Sequence, residues 1–194
     1  VAPGDEGDAQ DGDLVRFDLV RKGRFSTPRA HVLESLGNPS DQRRISLIAI
    51  HAHGIPEDFP ASAIKEAEQL DPPTMEGRTD LRDVPLLTID PIDARDHDDA
   101  VYAEPDTDPR NEAGWIVIVA IADVAHYIRP STKLDREALL RGNSVYFPDR
   151  VVPMLPEKIS NDLCSLREGE ERPCLAARMV FDKWGEKKSH IFLR

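Results

Sequence analysis

The chain has 194 residues, with 25 Lys+Arg against 36 Asp+Glu, a formal net charge of −11 at pH 7 and a sequence pI near 5.0. Its 40% apolar content is enough to fill a globular core. The longest aliphatic run, Ile116 to Ala122, falls far short of the ~18 residues of a membrane span, so no membrane segment is expected.

In chain order, Gly12 to Leu36 reads as two or three strands, with Leu14, Phe17, Leu19 and Val20 before a Lys22-Gly23 turn and an extended pattern resuming from Pro28 to Val32. So few strands cannot bury their own face, which predicts the edge of a small β-barrel that began before Val1. Asn38-Pro39-Ser40-Asp41 breaks the pattern, and Ile45 to Ile50 reads as a further short strand carrying His51 and His53 at the surface. Phe59-Pro60 opens a helix through Ala61, Ile64, Ala67, Glu68 and Leu70, ended by Asp71-Pro72-Pro73.

A second domain is predicted from Asp83. Val84 to Ile89, Ala100 to Ala103 and Trp115 to Ala122 read as strands, the last rich enough in β-branched residues to be buried on both faces. Glu104 to Gly114 is a polar loop. Pro130-Ser131-Thr132 starts a helix of about ten residues, with Leu134, Ala138 and Leu139 on one face and Gly142 as C-cap. Val151 to Leu155 is an edge or channel-lining segment, and Ala176 to Phe181 with Ser189 to Leu193 forms a hairpin around Lys183-Trp184-Gly185. Cys164 and Cys174 have no zinc or disulfide spacing and read as buried thiols of a cytoplasmic protein.

The chemistry concentrates in Asp90-Pro91-Ile92-Asp93-Ala94-Arg95-Asp96-His97-Asp98-Asp99, where five carboxylates and one Arg leave a local charge of −4. Such crowding at a strand end disfavours ionisation unless a cation relieves it. Mg²⁺ prefers carboxylate and water oxygens and leaves room for phosphate, so this loop suits metal-assisted phosphoryl chemistry; the plain alternative is a solvated acidic loop. An EF-hand opening at Asp96 would need Gly and Glu where Val101 and Thr107 stand. Charge alone argues against RNA, because nucleic-acid binders carry a basic footprint. The acid is uneven, however: Arg129 to Arg194 holds 13 Lys+Arg against 10 Asp+Glu, leaving 12 against 26 before it.

The stretch Thr88 to Val101 resembles the catalytic signature of the ribonuclease II and ribonuclease R family of exoribonucleases. Val119 to Val124, Leu134 to Ala138, Arg141 to Pro148, Val152 to Pro156 and Leu163 to Leu166 are similar to further blocks of that family's RNB domain, in the family's order and nearer its ribonuclease R branch. The resemblance implies an α+β chain: residues 1–44 as the C-terminal part of a cold-shock, OB-type barrel, 45–82 as a linker with one helix, and 83–194 as the N-terminal part of a mixed α/β RNB domain. It implies processive 3′-to-5′ hydrolysis of single-stranded RNA to 5′-nucleoside monophosphates with two divalent metals, Mg²⁺ or Mn²⁺. Asp90, Asp96, Asp98 and Asp99 match the family's active-site aspartates, whereas Asp93 falls at a variable position; Asp98 matches the one most directly tied to hydrolysis. Tyr146 matches an aromatic that packs on a nucleotide near the cut end.

Candidate phosphate contacts in the basic third are Arg141, Arg150, Arg167, Arg172 and Arg178, with surface salt bridges as the alternative for each. His126 reads as a satisfied histidine at a strand end, and Cys164 and Met154 as structural. The family's RNB domain runs past the position of Arg194. The sequence is therefore expected to be a fragment whose partners include the missing domains of the parent chain, and whose uncovered sheet edge invites dimerisation or aggregation. A noncatalytic RNA-binding module of the same ancestry, and an unrelated acidic metal-binding domain, are the other readings.

Overall fold

Apolar positions spaced for one sheet face form β1 (Leu14–Val20), which pairs antiparallel with β2 (Arg29–Gly37), burying Val32 and Leu36. The computed structural model describes residues 1, 3–21, 26–38, 42–92 and 94–194. The expected Lys22-Gly23 turn, the break at Pro39 to Asp41 and Asp93 lie outside them. The chain divides into two compact units, Val1–Asp58 with Ser144–Val152, and Phe59–Asn143 with Pro153–Arg194.

In the first unit, the two-stranded sheet is followed by helix α1 (Gln42–Ala52), not the strand read from Ile45 to Ile50. A short apolar run fits either period, and here it is extended at both ends to 11 residues, with Ser46 and Ile50 sharing the buried face four residues apart. His51 consequently lies on a helix, with its Nε2 buried and lacking a hydrogen-bond partner, while His53 is exposed. The same unit holds the hairpin of β5 (Val145–Tyr146) and β6 (Val151–Val152). Ser46 donates its hydroxyl hydrogen to the Asp149 carboxylate between those strands.

The second unit begins with α2 (Ala61–Glu68), as predicted, which buries Ala63 and Ala67. Its sheet is wholly antiparallel, in the order β3 (Asp99–Pro105), β4 (Trp115–Ala122), β7 (Cys174–Phe181), β8 (Lys187–Leu193). The expected strand at Val84 to Ile89 is absent except for a single bridge from Leu87 to Val101. Pro85 has no N–H to offer a ladder, Leu86 N–H turns back to Val84 C=O at 2.7 Å, and Ile89 is 83% exposed. Nor is β4 buried on both faces: Ile116, Ile118, Ala120 and Ala122 face the core, while Trp115 and Ile121 on the other face are about half exposed.

Two short helices, α3 (Val124–Tyr127) and α4 (Lys133–Arg141), follow β4. Asp135 N–H donates to the Thr132 hydroxyl at 3.3 Å, the Asp135 carboxylate accepts from Ser131 N–H at 2.7 Å, and the Glu66 carboxylate of α2 accepts from Lys133 N–H at 2.8 Å and Leu134 N–H at 3.4 Å, which together satisfy the first-turn donors of α4. Gly142 closes the helix at φ 77°, the left-handed value that favours glycine there. Leu134 is fully buried and Ala138 packs on the core, but Leu139 is 81% exposed and does not share their face. The helical segment Lys158–Leu163 has the wide π spacing and inserts Ile159 and Leu163 beside Cys164, Tyr127, Leu155 and Ala67. That cluster is the larger core of this unit, with Met154 packed against it.

Candidate functional site

The acidic loop enters β3 directly, so its geometry is set by the strand and by what holds the loop beneath. At one end Asp99 is the first residue of β3, opposite Ile121, and Asp98 C=O accepts from Ala122 N–H at 2.9 Å, closing the last rung between β3 and β4. At the other, Leu166 N–H donates to His97 C=O at 2.8 Å, and Ser165, wholly buried, accepts from His97 N–H at 3.2 Å and donates to Arg95 C=O at 2.8 Å. His97 Nδ1–H donates to Asp90 Oδ2 at 2.9 Å, folding the start of the loop against its end.

Electrostatics follow from that folding. Asp98 is exposed to solvent at its surface, yet its pKa lies above the ordinary 3.8, first through partial desolvation by the surrounding protein and then because Asp96, Asp99 and Asp90 crowd it with like charge. Asp90 is held below 3.8 by hydrogen bonds from His97 and Thr88. The loop therefore brings all four predicted aspartates into electrostatic range of one carboxylate. The donor set is hard oxygen with surplus negative charge, which fits an oxygen-seeking divalent cation. Among the described residues, no three Asp, Glu, His or Cys side chains converge with ligand spacing.

An open groove of about 640 Å³ runs beside the loop, lined by Arg95, His97, Lys158, Asn161 and Arg167 among others. Arg167 is 40% exposed at its side chain, pairs with Glu170 at 3.5 Å and Asp162 at 3.8 Å, and donates to Asn161 C=O. Arg172 is 13% exposed and is committed to Asp162, through its side chain at 3.1 Å and its C=O at 3.0 Å, and to Glu170. Arg178 lies on β7, where its charge assists Asn111 and the Asp108 backbone in holding Asp106 low.

Arg141 is engaged within the chain. Its side chain is 2% exposed, bound to Glu137 at 2.9 Å and Pro153 C=O at 3.1 Å, with the guanidinium 3.7 Å from the centre of the Phe59 ring. These contacts brace the end of α4. In the first unit, Arg150 pairs with Asp149 at 3.2 Å and Glu57 at 3.6 Å, and Tyr146 is 65% exposed.

Sequence reasoning missed the roles of Ser165 and His97, although both lie inside segments that carry the family resemblance; a buried hydroxyl between two loop backbone groups leaves no signature in residue spacing. It also missed Asp123. This buried carboxylate accepts from Arg78 at 2.8 Å and Arg194 at 2.9 Å. Burial would push its carboxyl up, but those two guanidiniums hold it below the ordinary value. His126 touches the same group through Arg78 at 3.5 Å, and burial pushes its pKa down, as suits a satisfied neutral imidazole. Cys164 is an inert buried thiol, pushed up to about 12 by burial.

Comparison with known proteins gives an RNB domain at residues 78–194 and a cold shock domain at residues 1–60. Ribonuclease R of Acidithiobacillus ferrooxidans is 47% identical over 189 residues, covering 94% of this chain and 42% of that protein. The chain thus spans less than half the length of this curated relative. The apo form of Mycoplasma genitalium RNase R superposes on 99% of this chain and 30% of that one, at a TM-score of 0.81 and 28% identity. The same RNase R in complex with ribose methylated single-stranded RNA covers 86% of this chain and 26% of that one, at a TM-score of 0.75 and 32% identity. No helix among the described residues is long and apolar enough to cross a membrane.

Proposed function

The chain belongs to the RNB-domain family, and from that premise we propose that it is part of a 3′-to-5′ exoribonuclease that hydrolyses single-stranded RNA to 5′-nucleoside monophosphates. The observation that carries this reading is the placement of Asp90, Asp96, Asp98 and Asp99 on one loop at the mouth of β3, near enough for Asp96, Asp99 and Asp90 to act on Asp98 by like charge.

In the proposed mechanism Asp90, Asp96, Asp98 and Asp99 would hold divalent cations, Mg²⁺ or Mn²⁺. When bound, these supply positive charge at the scissile phosphate and lower the pKa of a water. Asp98 stands closest to the hydrolytic step. The hydrogen bond from His97 fixes the Asp90 carboxylate, so that it stays ionised and oriented at neutral pH. Arg95, Lys158 and Arg167 line the groove beside these acids and offer cations to the RNA backbone. Exposed Tyr146 offers a ring face on which a base stacks whatever its identity. The solved complex of an RNase R with single-stranded RNA supports the choice of substrate.

The test uses 5′-labelled oligoadenylate with the 194-residue chain, in Mn²⁺ and in EDTA. Expected is retention of the RNA under both conditions, with slow shortening from the 3′ end only in Mn²⁺. Failure to retain the oligonucleotide in either buffer overturns the proposal, and retention with no shortening in Mn²⁺ supports the noncatalytic module instead.

A further inference from the structure

We infer that Ser165 is a positioning residue for the acidic loop. This rests on the reading of that loop as the catalytic one and adds the side chain that fixes its shape. A serine with no exposed surface is costly unless its hydroxyl is used as both donor and acceptor. Here both capacities are spent on the loop's backbone: the O–H on Arg95 C=O at 2.8 Å, the lone pair on His97 N–H at 3.2 Å. These two groups flank Asp96. The next residue, Leu166, adds its N–H to His97 C=O at 2.8 Å, so His97 is gripped through both backbone polar groups.

The grip is anchored from below. Ser165 N–H donates to Asp162 C=O at 3.1 Å and Cys164 N–H to Ile159 C=O at 2.8 Å, which continue the helical segment whose Ile159 and Leu163 are buried in the larger core. The loop's far side is held by the Ala122 to Asp98 bond at the end of β4. Asp96, Asp98 and the Asp90-bound His97 therefore lie between two fixed points, and the Ser165 hydroxyl bonds the backbone on both sides of Asp96. Without it, Arg95 C=O and His97 N–H lose their partner and the acids lose their common spacing, while the sheet and the core remain.

Amide hydrogen exchange of the metal-free chain tests this, comparing wild type with Ser165→Ala and with Cys164→Ala, which thins the same core one residue away. Ser165→Ala is expected to speed exchange at the His97 amide about tenfold, leaving Ile118 and Ala176 in the sheet unchanged, and to weaken Mn²⁺ binding by a similar factor. Cys164→Ala is expected to leave the His97 amide close to wild type. If Ser165→Ala unfolds the chain, Ser165→Cys, nearly the same size but a poor hydrogen bonder, replaces it in the same measurement. An unchanged His97 amide, or equal acceleration by Cys164→Ala, overturns the role of Ser165. A wild-type chain that binds no Mn²⁺ overturns the catalytic reading alone, since the exchange data still decide the role of the hydroxyl.

Discussion

Replacing Asp123 with Asn removes one negative charge, at constant volume, from between two arginines. The Asp123 side chain is 5% exposed and Arg78 11% exposed, with 2.8 Å between their polar atoms. Arg78 Nη1 is buried without a hydrogen-bond partner, and beyond Asp123 the guanidinium has only the His126 ring nitrogen, at a long 3.5 Å from Nη2, among the described residues. Removing one member of such a buried pair costs about 3–5 kcal/mol. The nearby His126 nitrogen at 3.5 Å favours the low end. The Arg194 pair is different: that arginine is 50% exposed, and a half-solvated pair contributes less than about 1 kcal/mol. Asp123→Asn should therefore lower stability by about 3 kcal/mol and Arg194→Ala by less than a third of that. With a urea slope of about 2 kcal/mol/M, the first shift is about 1.5 M in midpoint. Trp115 and Trp184, the chain's two tryptophans, both lie in the second unit, so their fluorescence follows the unit that holds the pair. Because the folded carboxyl titrates below 3.8, its stabilisation is complete above that value and disappears as pH falls through the lowered one. The gap between wild type and variant should hold at pH 7 and narrow only below about 3.8. Equal losses from Asp123→Asn and Arg194→Ala, or an Asp123→Asn shift under about 0.5 M, would refute the reasoning.

Three further outcomes separate roles by the quantity that moves. Asp98→Asn should raise the stability of the metal-free chain at pH 7 by roughly 0.5 kcal/mol. The folded pKa is raised, so ionisation of Asp98 costs stability as pH rises through it; the gain should vanish in urea melts at pH 3, where wild type is protonated as well. Arg141→Ala should cost about 3 kcal/mol in the same melts, because it strands Glu137 and uncovers Phe59, while leaving the salt dependence of RNA binding unchanged. Tyr146→Ala should leave stability within about 0.5 kcal/mol, yet weaken oligoadenylate binding by about 1–3 kcal/mol in fluorescence anisotropy.

Much of the strand content was legible because apolar and β-branched runs bounded by turn residues leave few alternatives: β1, β2, β3, β4, β7 and β8 lie where their residues predicted them. The caps of α4 were equally readable, since Thr132 and Gly142 act through local hydrogen bonds and backbone geometry. The failures share a cause in tertiary context. Ile45 to Ile50 fits a strand or a helix until the packing of Ser46 and Ile50 decides. Val84 to Ile89 is apolar enough for a strand, but Pro85 and the turn at Leu86 stop the ladder. At the site, the aspartates were visible as a run of like charge, whereas Ser165 and Asp123 work through partners about 70 and 45 residues away in sequence, distances that only the fold supplies. Arg141 shows the same limit from the other side: residue type and block position give no hint that its own helix and an aromatic ring engage it.

The loop's proposed task is met most directly by calorimetric titration of the 194-residue chain with Mn²⁺. Saturable binding that weakens at least tenfold in Asp98→Asn/Asp99→Asn is predicted for acids that share a cation. A wild-type chain that takes up no Mn²⁺, or a double variant that binds it as tightly as wild type, would contradict the account.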